Sequence, residues 1–251
     1  MSPETISLPC LELLAKQAEW LAPFRAGLLR RAAIAQRKSV LDLGCGPGLI
    51  TAELLRRSGG RVVGLDRNFQ ALRQLASRYR AEASFQPAQP ICADACRLPF
   101  ADRSFDLVFC QWVLLWLPLE PTLSEIRRVL APGGMLVALE PDYGGMIEYP
   151  SEIASAPLWQ AALRRAGADP EVARKIPPLL AKLDFQVQVM LLDRLHGPDP
   201  TRWEILKELP LTAAELAHLQ TAMQIETHLA GQTVLVHLPI FGILGKAPPE
   251  R

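Results

Sequence analysis

The stretch Val40-Leu41-Asp42-Leu43-Gly44-Cys45-Gly46-Pro47-Gly48 carries the strongest fold signal in the chain. A short apolar run ends in an acid, and glycines come after it at alternate positions. This reads as a buried strand feeding a tight turn that opens a helix over 49–57, stopped by Gly59-Gly60. Glycine at alternate positions lets the backbone take positive φ and lets a ligand lie against bare peptide. The spacing departs from the dinucleotide fingerprint G-x-G-x-x-G: the third glycine comes one place early, at Gly48, and Leu49 holds the dinucleotide position. Asp42 would repel a pyrophosphate and suits a ligand carrying an ammonium group. Its alternative role is that of a turn-stabilising Asx residue.

Outward from this stretch, strand and helix patterns alternate. Two helices are predicted over 10–35, with Leu11, Leu14, Ala18 and Leu21 on one stripe and Phe24, Leu28 and Leu29 continuing it after Pro23. Strands are predicted over 39–43, 61–65, 90–93, 105–110 and 135–139, with helices over 69–80 and 119–130 between them. Alternation of this kind argues a parallel, doubly wound α/β sheet of Rossmann-like type. Residues 141–170 are rich in proline, glycine and aromatics. Beyond them come a helix over 170–183, a strand over 185–192, a helical stretch over 198–229 and a last apolar strand over 233–245. Residues 1–251 form one expected domain: N-terminal helices over 1–36, a binding core over 37–140, and cap segments with closing strands over 141–251.

Bulk properties narrow the function classes. The chain has 251 residues, 49% of them hydrophobic, with a formal net charge of +1. That is enough for a full core and gives no electrostatic case for nucleic acid or an anionic membrane. Arg30-Arg31, Arg56-Arg57, Arg127-Arg128 and Arg164-Arg165 fall on predicted helices and read as solvated faces. The five cysteines fit no ligand spacing and no C-x-x-C pair occurs, so no metal site is expected. No signal-peptide pattern opens the sequence, and its apolar runs are too short for a bilayer. A reduced, cytoplasmic protein is expected.

Three acids stand at predicted strand ends, where open α/β sheets bind ligands: Asp42, Asp66 and Asp94. Asp66 falls roughly 20 residues after the glycines, the position from which an acid takes ribose hydroxyls. The 40–48 stretch, Arg61-Val62-Val63-Gly64-Leu65-Asp66, Ala93-Asp94-Ala95 with Leu98-Pro99-Phe100, Phe105-Asp106-Leu107-Val108 and Leu130-Ala131-Pro132-Gly133-Gly134 resemble, in order, the motifs of class I S-adenosylmethionine (SAM)-dependent methyltransferases. The resemblance covers about half the chain. It implies a mostly parallel seven-stranded sheet with a terminal antiparallel strand, helical cap segments, and SAM as cofactor. It also implies cofactor contacts at Asp42, Gly44, Cys45, Gly46, Gly48, Asp66, Arg67, Asp94, Ala95 and Gln111. Asp106 reads as a structural strand-end residue. Glu140-Pro141-Asp142-Tyr143 is similar to the stretch after strand five in ubiquinone/menaquinone-biosynthesis methyltransferases.

The residues just after strand four narrow the acceptor. Cys110-Gln111-Trp112-Val113 lacks the Asn/Asp-Pro-Pro-aromatic motif of amino-methylating enzymes, the Pro-Cys nucleophile of cytosine-C5 enzymes, and the carboxylates of metal-dependent catechol enzymes. Trp112, Trp116, Tyr143, Met146 and Tyr149 are the candidate acceptor residues, suited to a flat or apolar small molecule. Methyl transfer from a sulfonium asks mainly for positioning and water exclusion. If the acceptor must lose a proton, Tyr143, His237 and Asp142 are the candidate bases. His196 and His237 have the alternative of simple polar strand-end residues. Methylation of RNA or protein, SAM binding without catalysis, and a nicotinamide oxidoreductase remain the rival readings.

Overall fold

The computed structural model describes residues 10–81, 88–192, 199, 201–229 and 234–250. His196 and the expected start of the last strand at Thr233 lie outside these residues. In chain order the elements are α1 (Leu11–Arg31), β1 (Ser39–Leu43), α2 (Thr51–Arg57), β2 (Arg61–Asp66), α3 (Phe69–Ala81), β3 (Gln89–Cys92), β4 (Phe105–Gln111), α4 (Leu119–Val129) and β5 (Leu130–Pro141). Then come β6 (Ile147–Tyr149), α5 (Ala156–Arg165), α6 (Val172–Lys182), β7 (Gln186–Leu191), α7 (Thr201–Lys207), α8 (Ala213–His228), β8 (Leu235–His237) and β9 (Ile240–Lys246).

Seven strands form one sheet in the order β3-β2-β1-β4-β5-β9-β7. The pairings from β3 through β5 are parallel, and β9 runs antiparallel to both β5 and β7. This is the expected Rossmann-like sheet with its one reversed strand. β6 and β8 make a separate antiparallel pair.

The central strands are apolar throughout because both faces are covered. On β1, Leu41 and Leu43 join one core with Val63, Val108 and Leu136, closed by Ile126 of α4 and Ile176 of α6. Val40 points the other way and joins Val62, Leu107, Phe109 and Val137 beneath Leu28 and Leu29 of α1 and Leu54 of α2. Each large apolar side chain so buried contributes roughly 1.5–3 kcal/mol.

Two expectations about boundaries are corrected. The N-terminal segment is a single helix, α1, with Pro23 inside it, rather than two helices. Pro23 lies on the exposed side, so the carbonyl that loses its helical donor faces water. Strand five begins at Leu130, not after the glycines. Leu130 pairs with Phe105, and the register shifts before Leu107 meets Met135, so Pro132-Gly133-Gly134 is absorbed as an irregularity within the strand. Asp106 is structural, as expected: its carboxylate accepts from the backbone N–H groups of Lys38 (2.7 Å) and Ser39 (3.2 Å).

Candidate functional site

The carboxyl ends of β1, β2 and β3 meet at the glycine turn. Gly44 N–H and Cys45 N–H both donate to Leu65 O (2.7 and 3.0 Å), which ties the turn to β2. Gly44, Gly46 and Gly48 all have positive φ (68°, 51° and 81°), but for different reasons. A Cβ on Gly44 would meet Val113 at 2.4 Å, and one on Gly48 would meet Leu75 at 2.8 Å, so both are required by packing. A Cβ on Gly46 would meet nothing within 4 Å; open space lies beside that peptide. That is a cradle of the kind a nucleoside ligand fills, and the donor set around it fits SAM.

Asp66 holds this turn in place. Its Oδ2 accepts from Gly46 N–H and its Oδ1 from Asn68 N–H, both at 2.8 Å. A carboxylate has about four lone-pair sites, so two remain for hydroxyl donors. Asn68 then starts α3, its Oδ1 accepting from Gln70 and Ala71 N–H. Asp94 Oδ1 accepts from Cys96 N–H at 2.9 Å.

A cavity of about 580 Å³ opens beside Gly44, Asp66 and Asp94; Gly46 is not among its lining residues. Gly44, Asp66, Arg67, Asn68, Asp94 and Ala95 line one end. The other end is aromatic: Trp20, Trp112, Trp116 and Trp159, four of the chain's five tryptophans, line it with Tyr143 and Met146. Tyr143 stacks on Trp159 (centroids 5.0 Å, interplanar 25°), and Trp20 lies 6.4 Å from Trp112. His237 lines the cavity from β8. Burial pushes the Tyr143 hydroxyl up to about 12, partly offset by a hydrogen bond from the Trp112 indole. It is therefore neutral at physiological pH.

The remaining sequence candidates sit elsewhere. Asp42 is buried behind the turn, where its Oδ2 accepts from Thr51 Oγ at 2.6 Å; burial pushes its carboxyl up to about 7. The bond ties the end of β1 to the start of α2. The Cys45 side chain packs with Leu72, Leu75 and Ala88, away from the cavity, and burial raises its thiol. Gly48 faces Leu75. Gln111 is turned toward α1, its Oε1 accepting from Arg25 Nη1 at 3.1 Å. Tyr149 is 63% exposed on β6 and does not line the cavity. Asp142 accepts from Arg174 (2.6 Å) and from Gly144 N–H and is not among the residues lining the cavity.

Three features were missed from the sequence. α1 contributes Leu13, Lys16, Gln17 and Trp20 to the cavity wall. Arg25 of α1 is almost fully buried against Glu53 of α2 (2.6 Å), tying the two helices together. Glu140, at the end of β5, is fully buried. The signal that drew attention to Asp66 and Asp94, an acid closing an apolar run, was present at Glu140 too. The N-terminal segment was expected beside the site as an addition to the core, but which of its residues reach the cavity depends on where the helix packs.

Residues 41–138 match the family described as "Methyltransferase domain". These residues form a SAM-dependent methyltransferase domain. A sterol 24-C-methyltransferase from Eremothecium gossypii is 31% identical over 210 residues, covering 80% of this chain and 52% of that protein. The chain spans about half the length of the curated relatives it matches, 54% and 52% for two of them. Among solved structures, the YcgJ protein of Bacillus subtilis gives a TM-score of 0.65 at 16% identity, covering 90% of this chain and 100% of that one. A geranyl diphosphate C-methyltransferase from Streptomyces coelicolor, solved with S-adenosylhomocysteine, gives 0.58 at 17% identity, covering 91% and 80%. These likenesses show the fold. Among the described residues, no group of three or more His, Cys, Asp or Glu could hold a metal ion, and no helix is long and apolar enough to cross a membrane.

Proposed function

We propose that the protein transfers a methyl group from SAM to a small acceptor with a flat or apolar body. The observation that carries this reading is one cavity that joins the acid-tipped strand ends of a methyltransferase domain to a wall of four tryptophans. The likeness to a sterol methyltransferase supports an apolar acceptor.

The cofactor supplies an activated methyl group; the chain's residues bind, orient and keep out water. Asp66 has two lone-pair sites left for ribose hydroxyls after holding Gly46 and Asn68. Asp94 and Ala95 take the adenine end, and Arg67 and Asn68 flank it. Gly44 and Gly46 bring bare backbone to the cofactor, while Asp42 and Cys45 support the turn from behind. Trp112, Trp116 and Trp159 offer ring faces to the acceptor, and such faces also attract a sulfonium. Tyr143 keeps its proton and holds an acceptor heteroatom. An acceptor that must lose a proton has the His237 imidazole on the same wall. The mixed charge of the cap supports a small acceptor rather than nucleic acid, and the five free cysteines support action in the reducing cytoplasm.

Titration calorimetry tests the cofactor half. S-adenosylhomocysteine is expected to bind in the micromolar range, on the order of −7 to −8 kcal/mol, with no heat from NAD. Binding of NAD and not of S-adenosylhomocysteine would overturn the reading. Extracts incubated with methyl-labelled SAM and the protein would then identify the acceptor by mass spectrometry.

A further inference from the structure

Trp112 stands in the left-handed backbone region, φ 57°, which a bulky side chain rarely adopts and which must be held from outside. Two consecutive residues of β5 hold it. On one side, Trp112 N–H donates to Leu139 O at 2.9 Å. On the other, a single oxygen of Glu140, Oε1, accepts from Val113 N–H at 3.0 Å and Leu114 N–H at 2.9 Å. These two donors open the short 3-10 turn Leu114–Trp116, whose first N–H groups have no partner within the turn.

The cost of this arrangement argues against a filler role. Glu140 is fully buried, and its Oε2 has no hydrogen-bond partner. An apolar side chain in that place would avoid desolvating a carboxyl group, but it would leave the part-buried Val113 N–H and the buried Leu114 N–H without their acceptor. The clamped turn also touches both halves of the cavity. Trp112 lines the cavity with its ring 6.4 Å from that of Trp20, while Val113 packs so closely on Gly44 that a Cβ there would meet it at 2.4 Å.

We propose that Glu140 is a positioning residue: it clamps the 112–114 turn and so sets the separation between the glycine turn that takes the cofactor and the tryptophan wall that faces the acceptor. This deepens the methyl-transfer reading and rests on it. Glu140 touches neither reactant and acts through Trp112 and Val113.

The test compares Glu140→Met, which fills the space without an acceptor, with Glu140→Gln, which keeps one. Three readouts apply: amide hydrogen exchange at Val113 and Leu114, near-ultraviolet circular dichroism of the tryptophans, and the Kd of S-adenosylhomocysteine. In Glu140→Met the two amides are expected to exchange about tenfold faster or more, as N–H groups without an acceptor do. The dichroism changes, and the Kd rises about fivefold through Val113 and Gly44. Glu140→Gln is expected to stay within about twofold of the wild type on all three, since one oxygen acceptor suffices for both donors. Placing Glu140→Met in a Trp112→Phe background should add no further dichroism change, which assigns the signal to Trp112. Wild-type exchange, dichroism and Kd in Glu140→Met would overturn the proposal. If that variant does not fold, unprotected Val113 and Leu114 amides in the wild type overturn it, and protected ones with a wild-type Glu140→Gln support it. A wild-type protein that ignores S-adenosylhomocysteine while the exchange result holds would sink the methyl-transfer reading and leave the clamp standing.

Discussion

The two ends of the cavity are built in different ways. The cofactor end comes from one stretch of chain, residues 42–95, in which each strand delivers its last residue to the same edge of the sheet. The acceptor end is assembled from distant parts of the chain: α1, the turn after β4, the turn after β5, α5, α7 and β8. The first is mostly backbone and carboxylate, held by short hydrogen bonds. The second is mostly apolar surface, aromatic and aliphatic, with Lys16, Asp199, Arg202 and Glu208 also in its lining. Polar backbone sites depend on local geometry and leave a motif; apolar walls depend on which elements meet and leave none.

This contrast can be broken by substitution. The largest effect is expected for Gly46→Val. The new side chain enters the open cradle and takes a φ of 51°, which costs a non-glycine residue roughly 1–2 kcal/mol. Affinity for S-adenosylhomocysteine should fall by about a hundredfold or more, with a lower Tm; calorimetry and thermal melts read the two parts. Retained affinity would mean that the ligand lies away from this peptide.

Asp66→Ala comes next. It removes the acceptor for Gly46 N–H and the free oxygen sites facing the cavity. Charge-assisted hydrogen bonds are worth roughly 1.5–3 kcal/mol, so at least about tenfold weaker binding is expected. The near-ultraviolet spectrum of the tryptophan wall should stay as in the wild type. A variant with unchanged affinity would place the ribose elsewhere.

Trp112→Ala and Tyr143→Ala should show the reverse pattern. S-adenosylhomocysteine affinity is expected to hold within about threefold, while turnover on an identified acceptor falls by about tenfold or more, as losing aromatic contact area implies. If both variants lose cofactor binding as badly as Asp66→Ala, or keep full turnover, the two ends do not divide the work in this way.

The smallest effect concerns Asp42. Burial lifts its carboxyl to about 7 in the folded protein, against about 3.9 in an unfolded chain. The folded state therefore holds the proton more tightly. Its contribution to stability is fully present below about pH 4 and is lost as pH rises through about 7. Asp42→Asn removes that dependence. Denaturant melts between pH 4 and 8 should show the wild type losing stability relative to the variant as pH rises. A constant difference would mean that Asp42 titrates alike in both states.

Much of the fold was legible because the parallel strands are buried on both faces and read as apolar runs closed by an acid or a glycine. That pattern located β1, β2 and β4 and the turn that joins β1 to α2. It misplaced the start of β5, because Pro132-Gly133-Gly134 has the local chemistry of a stop while pairing with β4 carries the strand through it. It also divided α1 at Pro23, because local propensity does not register that the helix is held by its packing on the sheet.

The sequence by itself determined the class of sheet, the acids at its carboxyl edge and the need for glycine in the turn, since each arises from chemistry within a few residues of its neighbours. Only the tertiary structure decided which candidates face the cavity. It turned Asp42 and Cys45 behind the turn, sent Gln111 to Arg25, left Tyr149 outside, and brought Trp20 and Trp159 to Trp112 and Tyr143 from 92 residues before and 16 residues after their respective partners. The direction of a side chain at the end of a strand depends on what packs beneath it, and that is a property of the whole molecule.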